Sequence, residues 1–135
     1  MLIATPNLCL DRTEWVAEVV VGSVLRARSV EVTAGGKGVN VARVLRAFGR
    51  GSTLVGLAAD NDRERLLSLL AEEGADVVGV SMPGDVRMAV IMIEERARRT
   101  TVLNEPGSTI DADTWARYRQ AVVSLLPGQE LLVCN

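Results

Sequence analysis

An α/β fold, with a parallel sheet covered on both faces and a second, smaller sheet standing off it, is what the sequence predicts. Apolar runs at 2–5, 53–57, 77–80 and 131–133 alternate with helical patterns, which is the signature of buried parallel strands. Segments 13–21, 30–33 and 87–103 instead alternate apolar and polar residues, and half-exposed strands of that kind do not belong inside such a sheet. The chain has 135 residues, 48% hydrophobic and 24% charged, so a packed core is within reach and disorder is excluded.

Taken in order, residues 2–5 form a strand that Pro6-Asn7 turns. Ala34-Gly35-Gly36-Lys37-Gly38 punctuates the chain before a first helix. In that helix Val39, Ala42, Val44, Leu45 and Phe48 recur at three- and four-residue steps, and Gly49 and Gly51 mark its end. Asp60-Asn61-Asp62 offers an N-cap for a second helix that buries Leu66, Leu67, Leu69, Leu70 and Ala71. Residues 87–94 and 100–103 flank a charged tip, Arg96-Ala97-Arg98-Arg99, and read as a hairpin whose arginines are solvated. Asp111 caps a third helix reaching Leu126, and Pro127-Gly128 breaks it before the last strand.

Composition removes several classes of chemistry. With no histidine in the chain, His triads, His-ligated zinc and His general bases are excluded. A net charge of -2 does not suit a protein that binds nucleic acid by neutralising phosphates. Cys9 and Cys134 are too few for a disulfide framework, and each, in an apolar setting, reads as a small buried hydrophobe. The N-terminus carries no basic region ahead of an apolar core, and charges or glycines break every apolar run, so a cytoplasmic protein without membrane contact is expected.

The glycine-rich turn carries the chemistry. Gly35, Gly36 and Gly38 let a backbone approach a ligand closely, and the following helix points its free N–H groups at the same place. Hydroxyl-rich or anionic ligands suit that geometry. The turn is not a Walker A loop, which carries Ser or Thr after its Lys where Gly38 stands, and its glycine spacing is not that of a dinucleotide fingerprint.

Residues 33–45 (TAGGKGVNVARVL) closely resemble the N-terminal signature of the PfkB branch of the ribokinase family of carbohydrate kinases. Residues 7–13 (NLCLDRT) resemble the family's Asn-Pro-Ala-x-Asp-Arg-Thr segment, 22–27 its Gly-x-x-x-Arg-Ala, Val86-Arg87 its Thr-Arg-x-Asn strand, and 103–107 its Leu-Asn-Glu-Pro-Gly. The similarity runs the length of the chain in the family's order and is strongest to the 1-phosphofructokinase and tagatose-6-phosphate kinase group. It implies a Rossmann-like αβα sandwich with a β-sheet lid, the lid strands falling at about 12–33 and 86–103.

By this resemblance the protein transfers the γ-phosphoryl of ATP, with Mg2+, to a hydroxyl of a sugar phosphate of the fructose 1-phosphate, fructose 6-phosphate or tagatose 6-phosphate type. Asp11 would bind sugar hydroxyls at the end of the first strand, Gly35 and Gly36 would present backbone amides, and Asn40 would reach a further hydroxyl. Arg26 and Arg87 would hold the phosphate already on the substrate, for which a forked guanidinium is suited. Lys37 either neutralises substrate charge or is a solvated lysine at a helix start. Trp15 either closes over substrate, pairs with the lid of a second copy in a homodimer, or packs in the core. Leu8 and Cys9 replace the family's Pro-Ala, and Val86 and Ala89 its Thr and Asn, which leaves the identity of the sugar open.

The Gly-Ala-Gly-Asp segment that gives the family its catalytic Asp and anion hole does not occur in residues 1–135. The chain is therefore expected to be the N-terminal, sugar-binding portion of a kinase, with no catalytic residue of its own and with its ATP- and Mg2+-binding residues mostly outside it. The alternatives are a non-catalytic remnant that binds sugar phosphates or a partner, and a generic nucleotide-binding domain. Expressed by itself, the chain is expected to aggregate or to be marginally stable; a sedimentation run and thermal melt showing a cooperatively melting monomer would mark it as complete.

Overall fold

The computed structural model describes residues 1–135 and contains two four-stranded sheets and three helices. Strands β1 (Leu2–Asn7), β4 (Thr53–Asn61), β5 (Asp76–Asp85) and β8 (Leu132–Cys134) form the main sheet in the order β5-β4-β1-β8, all parallel. Strands β2 (Cys9–Val16), β3 (Ser29–Gly35), β6 (Met88–Glu94) and β7 (Arg99–Asn104) form the lid in the order β3-β2-β6-β7. Within the lid β2 runs parallel to β6, and the other two pairings are antiparallel.

Helices α1 (Lys37–Ala47) and α2 (Arg63–Glu72) follow the steps from β1 to β4 to β5, so right-handed crossovers put both on one face of the main sheet. Helix α3 (Ala112–Leu125) precedes β8, which returns to the far side of β1, and the reversal puts it on the opposite face. Strand order therefore changes direction beside β1, at a topological switch point. Leu2, Ile3, Leu54, Val55, Leu66 and Leu70 are fully buried between the layers. Burying each such aliphatic side chain contributes roughly 1.5–3 kcal/mol. The low aromatic content is accommodated because this core is almost wholly Leu, Ile, Val and Ala, with Tyr118 as its one aromatic member.

Several boundaries differ from the sequence reading. Strand β1 continues through Pro6 to Asn7 because its pairing with β4 slips between Ala4 and Asn7, where proline needs no ladder bond. Strand β2 starts at Cys9, after the single residue Leu8, and ends at Val16, so Asp11 lies on the lid and not at the end of the first strand. Residues 17–28 are a loop, since the partners of β2 end at Ser29 and Glu94. Val44 and Phe48 face solvent, Phe48 at 79% exposure, because the apolar residues of their helix that pack against the core are Val39, Val41, Ala42 and Leu45.

The caps and cations differ too. Asp62 precedes α2 with φ 61° and makes no side-chain cap; Asp60 instead accepts a hydrogen bond from Ser81, and Asp85 one from Asn61 (2.7 Å). Asp111 caps α3 as expected, accepting from the Thr114 amide at 2.7 Å. Cys134 is exposed because it stands on β8, at the edge of the sheet. Arg99 is not a free tip residue: it donates to Glu94 at 2.9 and 3.1 Å, and with the Val19 amide it holds that carboxyl below its ordinary pKa.

Gly56 sits where β4 passes under the β1–β2 connection. A Cβ there would lie 2.5 Å from Leu8 Cδ1 and 2.8 Å from the Thr5 carbonyl oxygen. Leu8 is buried and cannot give way freely, so Gly56→Ala should cost about 1–3 kcal/mol in a denaturant titration. An unchanged midpoint would mean that the β1–β2 connection yields without penalty.

Candidate functional site

The C-terminal ends of β1 and β5, the start of α1 and the root of the lid converge at the switch point, where open α/β sheets bind ligands. Three glycines make the convergence possible, each for its own reason. A Cβ on Gly35 would fall 2.3 Å from Asp11 Oδ1, so the carboxylate rests directly on the glycine backbone. Gly36 turns the chain from β3 into α1 at φ 121° and ψ 152°, and a Cβ there would approach the Asn7 carbonyl to 3.2 Å. Gly38 seats the first turn of α1 on Thr5, with a Cβ position only 2.5 Å from the Thr5 Cβ. No side chain caps this helix, so its leading amides face the crevice unpaired by any side chain.

A cavity of about 130 Å³ opens at this point, lined by Thr5, Asn7, Lys37, Arg87 and Asn135. Arg87 is fixed in three ways. Its Nε donates to Asn7 Oδ1 at 2.7 Å, its carbonyl accepts from the Leu10 amide at 3.0 Å, and Gly107 leaves room for its aliphatic stem. Glu105 clamps the start of β6 beside it, exchanging backbone and side-chain bonds with Met88 at 3.1 and 2.7 Å. A second cavity of about 350 Å³, with Leu57, Met82, Val86 and Trp115 but also Asp85 and Ser108 in its wall, shares Asn7 and Arg87 with the first.

Cys9, Asp11, Arg43 and Arg87 act on one another electrostatically. Burial, then the charge of Asp11, pushes the Cys9 thiol up to about 12, while Arg87 and Arg43 pull it the other way. The Cys9 sulfur donates to Asp11 Oδ1 at 3.4 Å. Arg43 donates to the Ala34 carbonyl at 2.6 Å, to Asn40 Oδ1 at 2.9 Å and to both oxygens of Glu73 at 2.6–2.7 Å. It thus ties the turn between β3 and α1 to the end of α2.

Of the residues marked in the sequence, the structure gathers Asp11, Gly35, Gly36, Lys37 and Arg87 at one end of the sheet. Asn40 stands one turn into α1, exposed and held by Arg43. Arg26 is not brought to them: it is exposed on the 17–28 loop and makes no hydrogen bond. Thr5, Asn7 and Arg43 were not singled out. Their signals were a hydroxyl closing an apolar strand, an amide at the following turn, and an arginine three residues after Asn40. The arrangement can bind an anion through Lys37 and Arg87, and hydroxyls through Asp11. No group of three or more His, Cys, Asp or Glu side chains is arranged to hold a metal ion. No helix is long and apolar enough to cross a membrane.

The model of the pfkB family carbohydrate kinases matches residues 5–133. This chain belongs to that family. It is 31% identical over 106 residues to the 1-phosphofructokinase of Xanthomonas campestris pv. campestris, covering 78% of this chain and 33% of that protein. It is 32% identical over 103 residues to the 1-phosphofructokinase of Vibrio cholerae, covering 76% and 32%. The chain thus spans about a third of the length of these curated relatives. The crystal structure of phosphofructokinase-2 from Escherichia coli in complex with fructose-6-phosphate superposes with a TM-score of 0.93 at 24% identity, over 100% of this chain and 44% of that one. A possible 1-phosphofructokinase of Thermotoga maritima superposes at 0.89 with 22% identity, over 98% and 43%. The sandwich and its lid are therefore the pfkB carbohydrate-kinase fold, ribokinase-like, over its N-terminal part.

The two cysteines separate by environment. With Cys9 buried and protonated and Cys134 exposed, a thiol reagent at pH 8 should label one thiol per native chain and two after unfolding. Since the folded Cys9 thiol keeps its proton to about 12 against an ordinary 9.0, its contribution to stability should decline as pH rises through that interval. Rapid labelling of both thiols in the native chain would contradict the burial of Cys9.

Proposed function

We propose that this chain is the N-terminal, sugar-binding portion of an ATP-dependent kinase whose substrate is a sugar phosphate of the fructose 1-phosphate, fructose 6-phosphate or tagatose 6-phosphate type. The observation that carries this reading is the placement, at one switch point, of the Asp11 carboxylate against Gly35 and of an arginine oriented by Asn7. In it, Asp11 accepts hydrogen bonds from sugar hydroxyls and Asn40 reaches a further one. Gly35 and Gly36 leave the backbone open to the ring. Arg87, with Lys37 beside it, holds the phosphate already on the sugar, while Arg26, exposed on the 17–28 loop, stands apart from them.

ATP with Mg2+ supplies the phosphoryl group that is transferred. Residues that bind the nucleotide and the base that takes the hydroxyl proton lie outside this chain in this reading. What this chain does is bind, orient and cover the sugar. Two copies pairing through their lids belong to the same reading, because the lid loop exposes Val20, Val21 and Val24, with Val21 at 97%. A cytoplasmic setting, where ATP is plentiful, goes with it.

A charge-assisted hydrogen bond is worth about 1.5–3 kcal/mol, or roughly 10- to 100-fold in affinity. In a coupled kinase assay of the full-length protein, of which residues 1–135 are a portion in this reading, across a panel of sugar phosphates, Arg87→Ala and Asp11→Ala should each lower kcat/KM by that order. Unchanged kinetics in both variants would remove the site assignment, and sugar-phosphate binding without turnover would favour a non-catalytic binding role.

A further inference from the structure

Strand β5 ends at Asp85 and β6 begins at Met88, so the body sheet passes into the lid through Val86 and Arg87 alone. The segment that leaves the lid, Glu105 to Ser108, lies back across this crossing and grips both of its ends. At the lid end the Glu105 amide donates to the Met88 carbonyl at 3.1 Å, and the Met88 amide donates to Glu105 Oε2 at 2.7 Å. A side-chain oxygen thus satisfies the Met88 amide where a main-chain carbonyl would otherwise be needed, and the chain is free to turn away from β6. At the body end the Ser108 hydroxyl accepts from the Asp85 amide at 3.1 Å and donates to the Asp85 carbonyl at 3.2 Å.

Between these two grips Gly107 passes along the Arg87 stem: a Cβ there would lie 3.4 Å from Arg87 Cδ. None of the bonds that hold the crossing neutralises the arginine. They end on main chain, the head is turned by the Asn7 amide oxygen, and no carboxylate pairs with the guanidinium. Arg43 is the opposite case, since Glu73 takes its charge. Arg87 is fixed in place with its charge unspent, in the wall of both cavities at this corner.

We infer that Glu105 and Ser108 are positioning residues: they bracket the crossing from Asp85 to Met88 and so fix where Arg87 presents its guanidinium to the phosphate of the substrate. The inference rests on the reading of Arg87 as the phosphate contact. Its mechanical half, the bracket, stands on the four hydrogen bonds alone. A forked guanidinium binds phosphate directionally, so its root has to be held as firmly as its head. Asn7 serves the head, and the bracket serves the root.

The test uses hydrogen–deuterium exchange at the Asp85 and Met88 amides, and equilibrium binding of fructose 1-phosphate and of fructose, in the full-length protein. Glu105 is exposed, so Glu105→Ala leaves the core intact. It should speed exchange of the Met88 amide about tenfold and weaken binding of fructose 1-phosphate about five- to tenfold. Affinity for fructose, which brings no phosphate to Arg87, should stay unchanged. Glu105→Gln keeps an acceptor oxygen for the Met88 amide and should recover most of the loss. Ser108→Ala should act in the same way, with faster exchange at the Asp85 amide. In an Arg87→Ala background neither substitution should weaken binding further, a coupling that general destabilisation would not produce. Unchanged exchange in both variants would overturn the bracket. Faster exchange with unchanged affinity for fructose 1-phosphate, while Arg87→Ala weakens it, would overturn the positioning role, as would an equal loss for both sugars. If Arg87→Ala itself leaves the affinity unchanged, the phosphate contact of Arg87 fails, and the positioning role with it.

Discussion

The approach of α1 to the end of β1 sets the geometry on which everything else in this chain depends. A helix that starts against a strand end must bring its first turn within van der Waals distance of that strand, and any side chain at the contact holds it off. Gly38 removes the side chain facing Thr5, Gly36 takes a backbone conformation closed to residues with a Cβ, and Gly35 leaves space for the Asp11 carboxylate. The start of the helix and the strand-end polar groups consequently meet at one small cavity, and the lid carboxylate rests against the adjoining glycine turn. Because Gly56 lets β4 pass beneath the same corner, the close approach continues into the sheet.

Charge is distributed around that corner with little left loose. Arg43 is committed to Glu73, Ala34 and Asn40, so its role is to brace the glycine turn. Arg87 is oriented by Asn7 through one nitrogen, and Lys37 makes no side-chain bond at all. The cations that remain able to meet an anion are those that line the crevice, whereas the braced arginine stands behind it. Conserving rigid support while leaving a few donors open is how a site is preorganised for a charged ligand.

Much of this was legible in the residues. Apolar runs located all four strands of the main sheet, and the Asp111 cap and Pro127-Gly128 break bounded α3 to within a residue. The glycine cluster located the turn at which α1 meets the end of β1. What was not legible follows from tertiary pairing. The lid strand β2 is shorter on one side and longer on the other than its alternation suggests, since its length is set by β3 and β6. Helical spacing alone counted Val44 and Phe48 as core because it does not say how wide a strip the sheet covers. The bond from Arg87 to Asn7 joins residues 80 apart in sequence, and that from Glu94 to Val19 joins residues 75 apart. No local pattern announces either.

The residues gathered at this end of the sheet have different ownership. Asp11 belongs to the lid sheet, while Thr5 and Lys37 belong to the body, and Leu8 alone links β1 to β2. Arg87 stands at the other direct strand-to-strand crossing between the two sheets, just before β6. A molecule that touches Asp11 and Lys37 together therefore cross-links two separately hydrogen-bonded sheets. Whatever sets the angle between those sheets also sets the affinity of the crevice, and an occupant acts back on that angle with the same free energy.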